Sequence, residues 1–118
     1  MLHHVGIEVA PADVEAAAEF FELIGFARVE APATLREFTW LERDGTQIHL
    51  MPEEESTVPS PGHLAVVAPD FDRTIARLRE RGFEVEAKRE HWGEPRALAI
   101  APGGHRVELM AAPPQPRP

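Results

Sequence analysis

The sequence predicts an α+β fold built from two βαβββ modules, because three segments of its first half recur in the second half in the same order. They are an apolar segment suited to a strand, an amphipathic segment that ends at a Gly-Phe pair, and a closing segment with one polar residue between aliphatic ones. The matched segments are residues 4–11 with 63–69, Gly25-Phe26 with Gly82-Phe83, and residues 45–51 with 104–110.

This repeat divides a single domain, residues 1–118, into four parts. Module one is residues 1–51, and module two is residues 62–112. Between them, residues 52–61 contain proline and glutamate without apolar periodicity, which predicts a solvated linker. The Pro-rich residues 113–118 are expected to form an extended or disordered tail.

Module one begins with a strand and a helix. Across residues 5–9 three aliphatic side chains alternate with glycine and glutamate, the period of a strand with one packed face. Asp13 is placed to cap a helix whose apolar residues follow helical spacing over residues 14–24. Gly25 supplies the residue of positive φ that ends such a helix. The helix is expected to cover the aliphatic face of the strand.

Three more strands complete the module, at residues 26–30, 35–43 and 46–51. The dipeptide Asp44-Gly45 separates the last two strands. It favours a tight hairpin turn, because both of its residues tolerate positive φ.

Module two repeats this order. A strand starts at His63, and a helix follows with its apolar residues on one face. Strands are then predicted at residues 83–88, 96–101 and 105–111, with a turn at residues 102–104 between the last two.

Composition excludes several classes of protein. The formal net charge of −8, with a single lysine, argues against a nucleic-acid-binding surface. No segment has the apolar length of a membrane span, and the N-terminus lacks the pattern of an export signal. We therefore expect a soluble, cytoplasmic protein. Cysteine is absent, so a metal would have to be bound by imidazole and carboxylate.

Four such donors stand out because the repeat relates them: His4 matches His63, and His49 matches Glu108. In each half the two donors are 45 residues apart. Strand alternation turns all four away from the face that packs on the helix, and a shared divalent ion would satisfy them together. A single histidine in this position is more often merely solvated or hydrogen-bonded. The repeat favours a metal site, for which Zn, Ni, Co, Fe and Mn stay equally open.

Such a site would suit an anionic ligand. Three neutral imidazoles and one carboxylate around a divalent ion leave a formal charge of about +1. An ion with open coordination positions would accept a substrate with adjacent oxygens and stabilise an enolate-type or oxyanion intermediate as a Lewis acid, or activate a water.

Three further residues are candidates for supporting roles. Trp92 and Arg96 are assigned to substrate binding: Trp92 would line a cavity and Arg96 would meet a carboxylate or phosphate. Core packing for Trp92 and a surface charge for Arg96 are the alternatives. Glu8 shares a face with His4, and it would hydrogen-bond a ligand imidazole or act as a second acid or base.

The ordered set of motifs, HVGIEV at residues 4–9, FFELIGF at 20–26, GHLAV at 62–66 and VEL at 107–109, resembles the vicinal-oxygen-chelate (VOC) superfamily. This superfamily includes glyoxalase I, methylmalonyl-CoA epimerase, fosfomycin-resistance enzymes, extradiol dioxygenases and bleomycin-binding proteins. The resemblance implies that two βαβββ modules form a curved mixed sheet around a metal cleft. It also places the family's metal ligands at His4, His49, His63 and Glu108, with Glu108 able to shuttle a substrate proton.

Two features depart from the family pattern. Glyoxalase I typically carries a glutamate where His49 stands, which places the glyoxalase reaction itself in doubt. The last hairpin reads Ala101-Pro102-Gly103-Gly104 instead of the usual Asp-Pro-Asp/Glu-Gly, a change that concerns the turn more than the chemistry.

The resulting functional hypothesis is a small metal-dependent lyase or isomerase of the glyoxalase type. A drug-binding protein of the bleomycin type without catalysis, and a thiol transferase or dioxygenase of the same superfamily, are the alternatives. A homodimer is expected because a two-module chain leaves sheet edges to cover. The modules would pair within one chain or across that dimer, and the sequence leaves both arrangements open.

Overall fold

Each half of the chain forms a four-stranded mixed sheet with one helix. The computed structural model describes residues 1–68 and 70–115, and it separates into the units Met1–Val58 and Pro59–Pro118. The α+β class and the two modules predicted from the sequence are confirmed. Residues 116–118 of the predicted tail lie outside the described residues, and residues 113–115 have no regular secondary structure.

The elements of unit one are β1 His4–Val9, α1 Val14–Leu23, β2 Ala27–Val29, β3 Thr39–Arg43 and β4 Thr46–Pro52. Short 3-10 turns at Pro11–Asp13 and Ala33–Leu35 precede the helix and the third strand. The sheet order is β1-β4-β3-β2, with β1 parallel to β4 and the other neighbours antiparallel.

The elements of unit two are β5 Leu64–Val67, α2 Phe71–Glu80, β6 Glu84–Lys88, β7 Arg96–Ile100 and β8 Arg106–Met110. Its sheet has the equivalent order, β5-β8-β7-β6, with β5 parallel to β8. The repeat in the sequence is therefore a repeat of topology.

The Gly-Phe pairs end both helices in the same way. In unit one, Gly25 adopts φ 101°, its N–H donates to the Glu22 carbonyl at 3.1 Å, and the Phe26 N–H donates to the Phe21 carbonyl at 3.0 Å. Unit two has the same pair of bonds around Gly82, whose φ is 83°. This is the Schellman arrangement, which requires positive φ at the glycine and turns the following phenylalanine back toward the helix.

Two local expectations were inaccurate. Asp13 directly precedes α1, but its side chain makes no capping hydrogen bond. Its backbone is already helical, at φ −101° and ψ −5°, because the 3-10 turn begins the helical path earlier, and a capping side chain needs an extended backbone. The strand predicted at residues 35–43 starts only at Thr39, because the 3-10 turn Ala33–Leu35 and the turn residues that follow it occupy its beginning.

The Asp44-Gly45 turn is as predicted. Both residues have positive φ, 50° and 85°, as the tight turn between two antiparallel strands requires. The turn sets the register of β3 against β4, so that Trp40 lies opposite His49.

The helix end around Gly82 provides a test of this fold. A Gly82→Ala substitution meets no atom within 4 Å, so its cost should come from the positive φ alone. We expect it to lower the free energy of unfolding by about 1 kcal/mol in urea titrations. Glu80→Ala, an exposed change in the same last turn, should alter it by less than about 0.5 kcal/mol. Equal effects of the two would contradict the assigned role of Gly82.

Candidate metal and substrate site

In unit one the structure brings His4 and His49 together. Parallel pairing of β1 with β4 places His49 opposite Gly6, two residues along the strand from His4. The two rings stack, with centroids 4.1 Å apart and planes at 15°. The other face of His49 stacks on Trp40 at 3.9 Å and 1°. His49 is therefore the middle ring of three.

A hydrogen-bonded chain orients the His49 ring. Its Nε2 lies 2.7 Å from Gln47 Oε1, and Gln47 Nε2 donates to Glu42 Oε1 at 2.8 Å. Because the Gln47 amide directs its oxygen at His49, the imidazole carries its proton on Nε2 and keeps its lone pair on Nδ1. Such an orienting bond to the second ring nitrogen is typical of histidines that bind metals.

The environment also favours a neutral His49. Burial lowers the pKa of its imidazole, and repulsion from His4 and His3 lowers this pKa further. A neutral imidazole is the form that binds a metal, because ligation uses the lone pair that a proton would otherwise occupy.

A cavity of about 380 Å³ lies beside this stack. Its wall is mostly apolar, and among the described residues the buried Nε1 of Trp40 has no hydrogen-bond partner. A buried donor without a partner is unusual and costs stability. The residues that line the cavity are His3, His4, Gly6, Leu35, Phe38, Trp40, His49 and Met51.

In unit two the equivalent donors also meet. Glu108 lies on β8 opposite Ala65 of β5, and its Oε1 lies 3.2 Å from Nε2 of His63. The other oxygen of Glu108 accepts a hydrogen bond from Arg96 Nε at 3.0 Å. Glu108 is only 8 % exposed, so its carboxylate depends on these partners in place of water.

The proton on the second ring nitrogen of His63, Nδ1, determines what the 3.2 Å contact between His63 Nε2 and Glu108 Oε1 requires. Its Nδ1 lies 3.1 Å from the Pro61 carbonyl oxygen, which only accepts hydrogen bonds, so Nδ1 carries a proton. In the neutral ring Nε2 then presents a lone pair to a carboxylate oxygen. Two acceptors at this distance need either a further proton or a cation between them.

The structure describes the four predicted donors as two pairs, one in each unit. Across residues 1–68 and 70–115, no group of three or more His, Asp or Glu side chains is placed to hold a metal ion. The predicted metal site with all four donors stays a prediction.

The other predicted residues have clear positions. Arg96 lines a cavity of about 250 Å³ in unit two, together with His63 and Glu108. Trp92 lies apart from these lining residues and donates from Nε1 to the Ala112 carbonyl at 3.1 Å, and Glu8 accepts a hydrogen bond from the Thr57 backbone N–H at 3.0 Å. The predicted roles of Trp92 in substrate binding and of Glu8 toward a ligand imidazole stay predictions.

Sequence reasoning missed five contributors to these surfaces. Trp40, Gln47 and His3 surround the donors of unit one, and Lys88 and Arg106 line the cavity of unit two. Strand alternation together with the Asp44-Gly45 turn could have identified two of them. Gln47 lies two residues from His49, and the register that the turn sets places Trp40 opposite His49, so both lie on the face of the donors.

Comparison with known proteins agrees with this architecture. The sequence profile of the Glyoxalase/Bleomycin resistance protein/Dioxygenase superfamily matches residues 1–109. The chain belongs to this superfamily. No curated protein matches the sequence. Within the described residues, no helix is long and apolar enough to cross a membrane.

Solved structures of the superfamily share the fold. A glyoxalase family protein from Bacillus anthracis is 24 % identical, with a TM-score of 0.82 and 93 % of each chain covered. A structure described as a possible glyoxalase from Bacillus cereus is 28 % identical, with a TM-score of 0.73, and the match covers 94 % of this chain and 98 % of that one. A glyoxalase/dioxygenase from Nostoc punctiforme is 24 % identical, with a TM-score of 0.75 and coverages of 96 % and 91 %.

The environment of His49 predicts its titration. In metal-free protein the His49 imidazole should titrate below the ordinary value of about 6.5, and Trp40→Ala should raise its pKa by admitting water. NMR of the ring protons measures both values. Because the folded state binds fewer protons, the contribution of His49 to stability is present above pH about 6.5 and is lost as the pH falls from there through its lowered pKa. Titration of His49 at or above the value of a reference peptide would contradict this description.

Proposed function

We propose that this protein is a divalent-metal-dependent enzyme of the glyoxalase type, which acts on a small substrate with adjacent oxygens. The observation that supports this best is the pairing of donors on equivalent strands of both units, His4 with His49 and His63 with Glu108. Superfamily membership supports the same proposal, because its members commonly use a divalent metal. The proposal assigns all four donors to one ion of Zn, Ni, Co, Fe or Mn.

The distance between the donor atoms of His63 and Glu108 is compatible with a shared metal. Adjacent donors around an ion with bonds near 2.0–2.2 Å are separated by roughly 3 to 3.5 Å. Nε2 of His63 and Oε1 of Glu108 are 3.2 Å apart, and both atoms act as acceptors when the ring is neutral. A cation would replace the proton that this contact otherwise requires.

The His4–His49 pair fits only after a movement. Each metal–nitrogen bond lies in the plane of its imidazole, and two nearly parallel rings 4.1 Å apart do not direct lone pairs at one point. His49 is held by Gln47 and Trp40, whereas His4 is exposed near the N-terminus. We therefore assign the movement to His4, which would rotate away from the stack when a metal binds.

A bound metal would supply Lewis acidity to an oxygen of the substrate. The protein's own part is to position groups around that oxygen. Glu108 would accept or return a substrate proton at its carboxylate, and Arg96 orients that carboxylate through the 3.0 Å bond to Oε2. The apolar wall that Phe38, Trp40 and Met51 provide in unit one would exclude water from a bound organic group.

Binding without catalysis is the second candidate, and one observation favours it. The unit-one cavity is lined mostly by aromatic and aliphatic side chains, a feature that suits an apolar ligand. Tight drug binding by metal-free protein, without turnover of any α-hydroxy-carbonyl or thiohemiacetal, would favour this reading. Turnover that disappears on chelation and returns with metal would exclude it.

Metal content tests the proposed ligand set. Untagged protein should contain about one divalent ion per chain by elemental analysis, and His63→Ala or His49→Ala should weaken metal binding at least about tenfold. The matched control is His91→Ala, which removes an exposed loop histidine and should leave the metal content unchanged. Full occupancy in the His63→Ala protein would eliminate the proposed site.

A homodimer is part of the proposal. Each sheet has two edge strands, β1 and β2 in one unit and β5 and β6 in the other, and unpaired edges are commonly covered by association. Sedimentation equilibrium should therefore give about twice the chain mass of 13.1 kDa. A concentration-independent monomer would remove the dimer from the proposal and leave the ligand assignment untouched.

A further inference from the structure

The unit-two cavity concentrates positive charge in an acidic protein. The chain has a formal net charge of −8, yet Lys88, Arg96 and Arg106 line one space of about 250 Å³, and Glu108 is its one acidic lining residue among those that the structure describes. His63 completes the polar part of the wall. Three cationic side chains against one carboxylate leave this surface net positive.

Strand register explains how these charges come together. Lys88 on β6 lies directly opposite Arg96 on β7, and Leu98 on β7 lies opposite Glu108 on β8. Directly opposed like charges destabilise a sheet unless something compensates them. Glu86 lies 3.3 Å from Lys88, but its side chain is 72 % exposed, so this ion pair is weak.

The guanidinium of Arg96 is held in place before any ligand arrives. Its Nε donates to Glu108 Oε2 at 3.0 Å, and its Nη1 donates to the Arg89 carbonyl at 2.8 Å. Arginine has more N–H donors than these two bonds use, and the remaining ones suit a planar or tetrahedral oxyanion. Holding the donor in advance reduces the entropy lost when a ligand binds.

We infer that this cavity is a subsite for an anionic group, a carboxylate or a phosphate, which Lys88, Arg96 and Arg106 bind together. The inference rests on the proposed function only in assigning that group to the substrate; the anion subsite itself is independent of a metal. A volume of about 250 Å³ suits a charged head group more than a whole drug-sized ligand, whose pockets are typically about 300–1,000 Å³. The substrate class is thus an anionic compound with adjacent oxygens.

The test uses metal-free, full-length protein and two probes, inorganic phosphate and malonate, with ionic strength matched by sodium chloride. NMR titration should show saturable shifts at Lys88, Arg96 and Arg106, and added salt should weaken the binding. Lys88→Gln and Arg106→Gln should each weaken it by about fivefold. The matched control is Arg73→Gln, which removes the same charge from the exposed surface of α2 and should leave the affinity unchanged.

A chemical footprint gives a second readout. Lys88 is the only lysine, so acetic anhydride has two amines to modify, Lys88 and the N-terminus, and Met1 is fully exposed. Either bound anion should slow acetylation of Lys88 and leave the Met1 amine unaffected. Equal protection of both amines would show non-specific screening and overturn the inference.

The outcomes separate this inference from the proposed function. Stronger binding of one probe identifies the anion as carboxylate or phosphate, and both results support the subsite. Absence of saturable anion binding overturns the subsite, even if the protein contains stoichiometric metal. The same holds if Arg73→Gln lowers the anion affinity as much as Lys88→Gln or Arg106→Gln does. Saturable anion binding by a protein that takes up no metal would support the subsite and remove the metal-dependent proposal.

Discussion

Parallel pairing between the first and last strands of each module is the constraint on which the rest of the structure depends. β1 pairs with β4 and β5 with β8, so the two donors of each module come together although they are 45 positions apart along the chain. A parallel pair requires a long connection, and the helix and two intervening strands provide it. Without this pairing, His49 would not stack on His4, and Glu108 would not reach His63.

The two modules keep the same backbone and use it for different chemistry. Unit one surrounds its donors with Trp40 and an apolar wall, whereas unit two surrounds them with Arg96 and other charged side chains. The strand order is equivalent in the two sheets, and the donors are surrounded by different side chains. Divergence of this kind gives one protein both an apolar and an anion-binding surface without altering the fold.

Each candidate donor is already bonded within its own unit, and this affects how a ligand would enter. His49 is fixed by a bond to Gln47, which constrains its orientation without using the lone pair on Nδ1. Glu108 is held on one oxygen by Arg96, and its second oxygen lies against His63. Such bonds position donors before a ligand arrives, and they explain why polar side chains with so little exposure are tolerated.

The sequence by itself determined the repeat, the order of the strands and helices, and the helix ends at Gly25 and Gly82. These depend on local periodicity and on backbone conformations that only certain residues adopt. It also selected four donors and the face on which each lies, because alternation along a strand is a local property. The prediction was wrong at residues 35–38, where the end of a 3-10 turn and further turn residues replaced the expected strand, and at the Asp13 cap, where a 3-10 turn begins the helical path.

Only the tertiary structure decided which side chains meet across strands. The Trp40–His49–His4 stack, the bond between Arg96 and Glu108, and the meeting of Lys88 with Arg96 each join residues on different strands. Their contacts depend on register and side-chain conformation, which arise from packing of the whole module; alternation along a strand gives the face of each residue but not its partner.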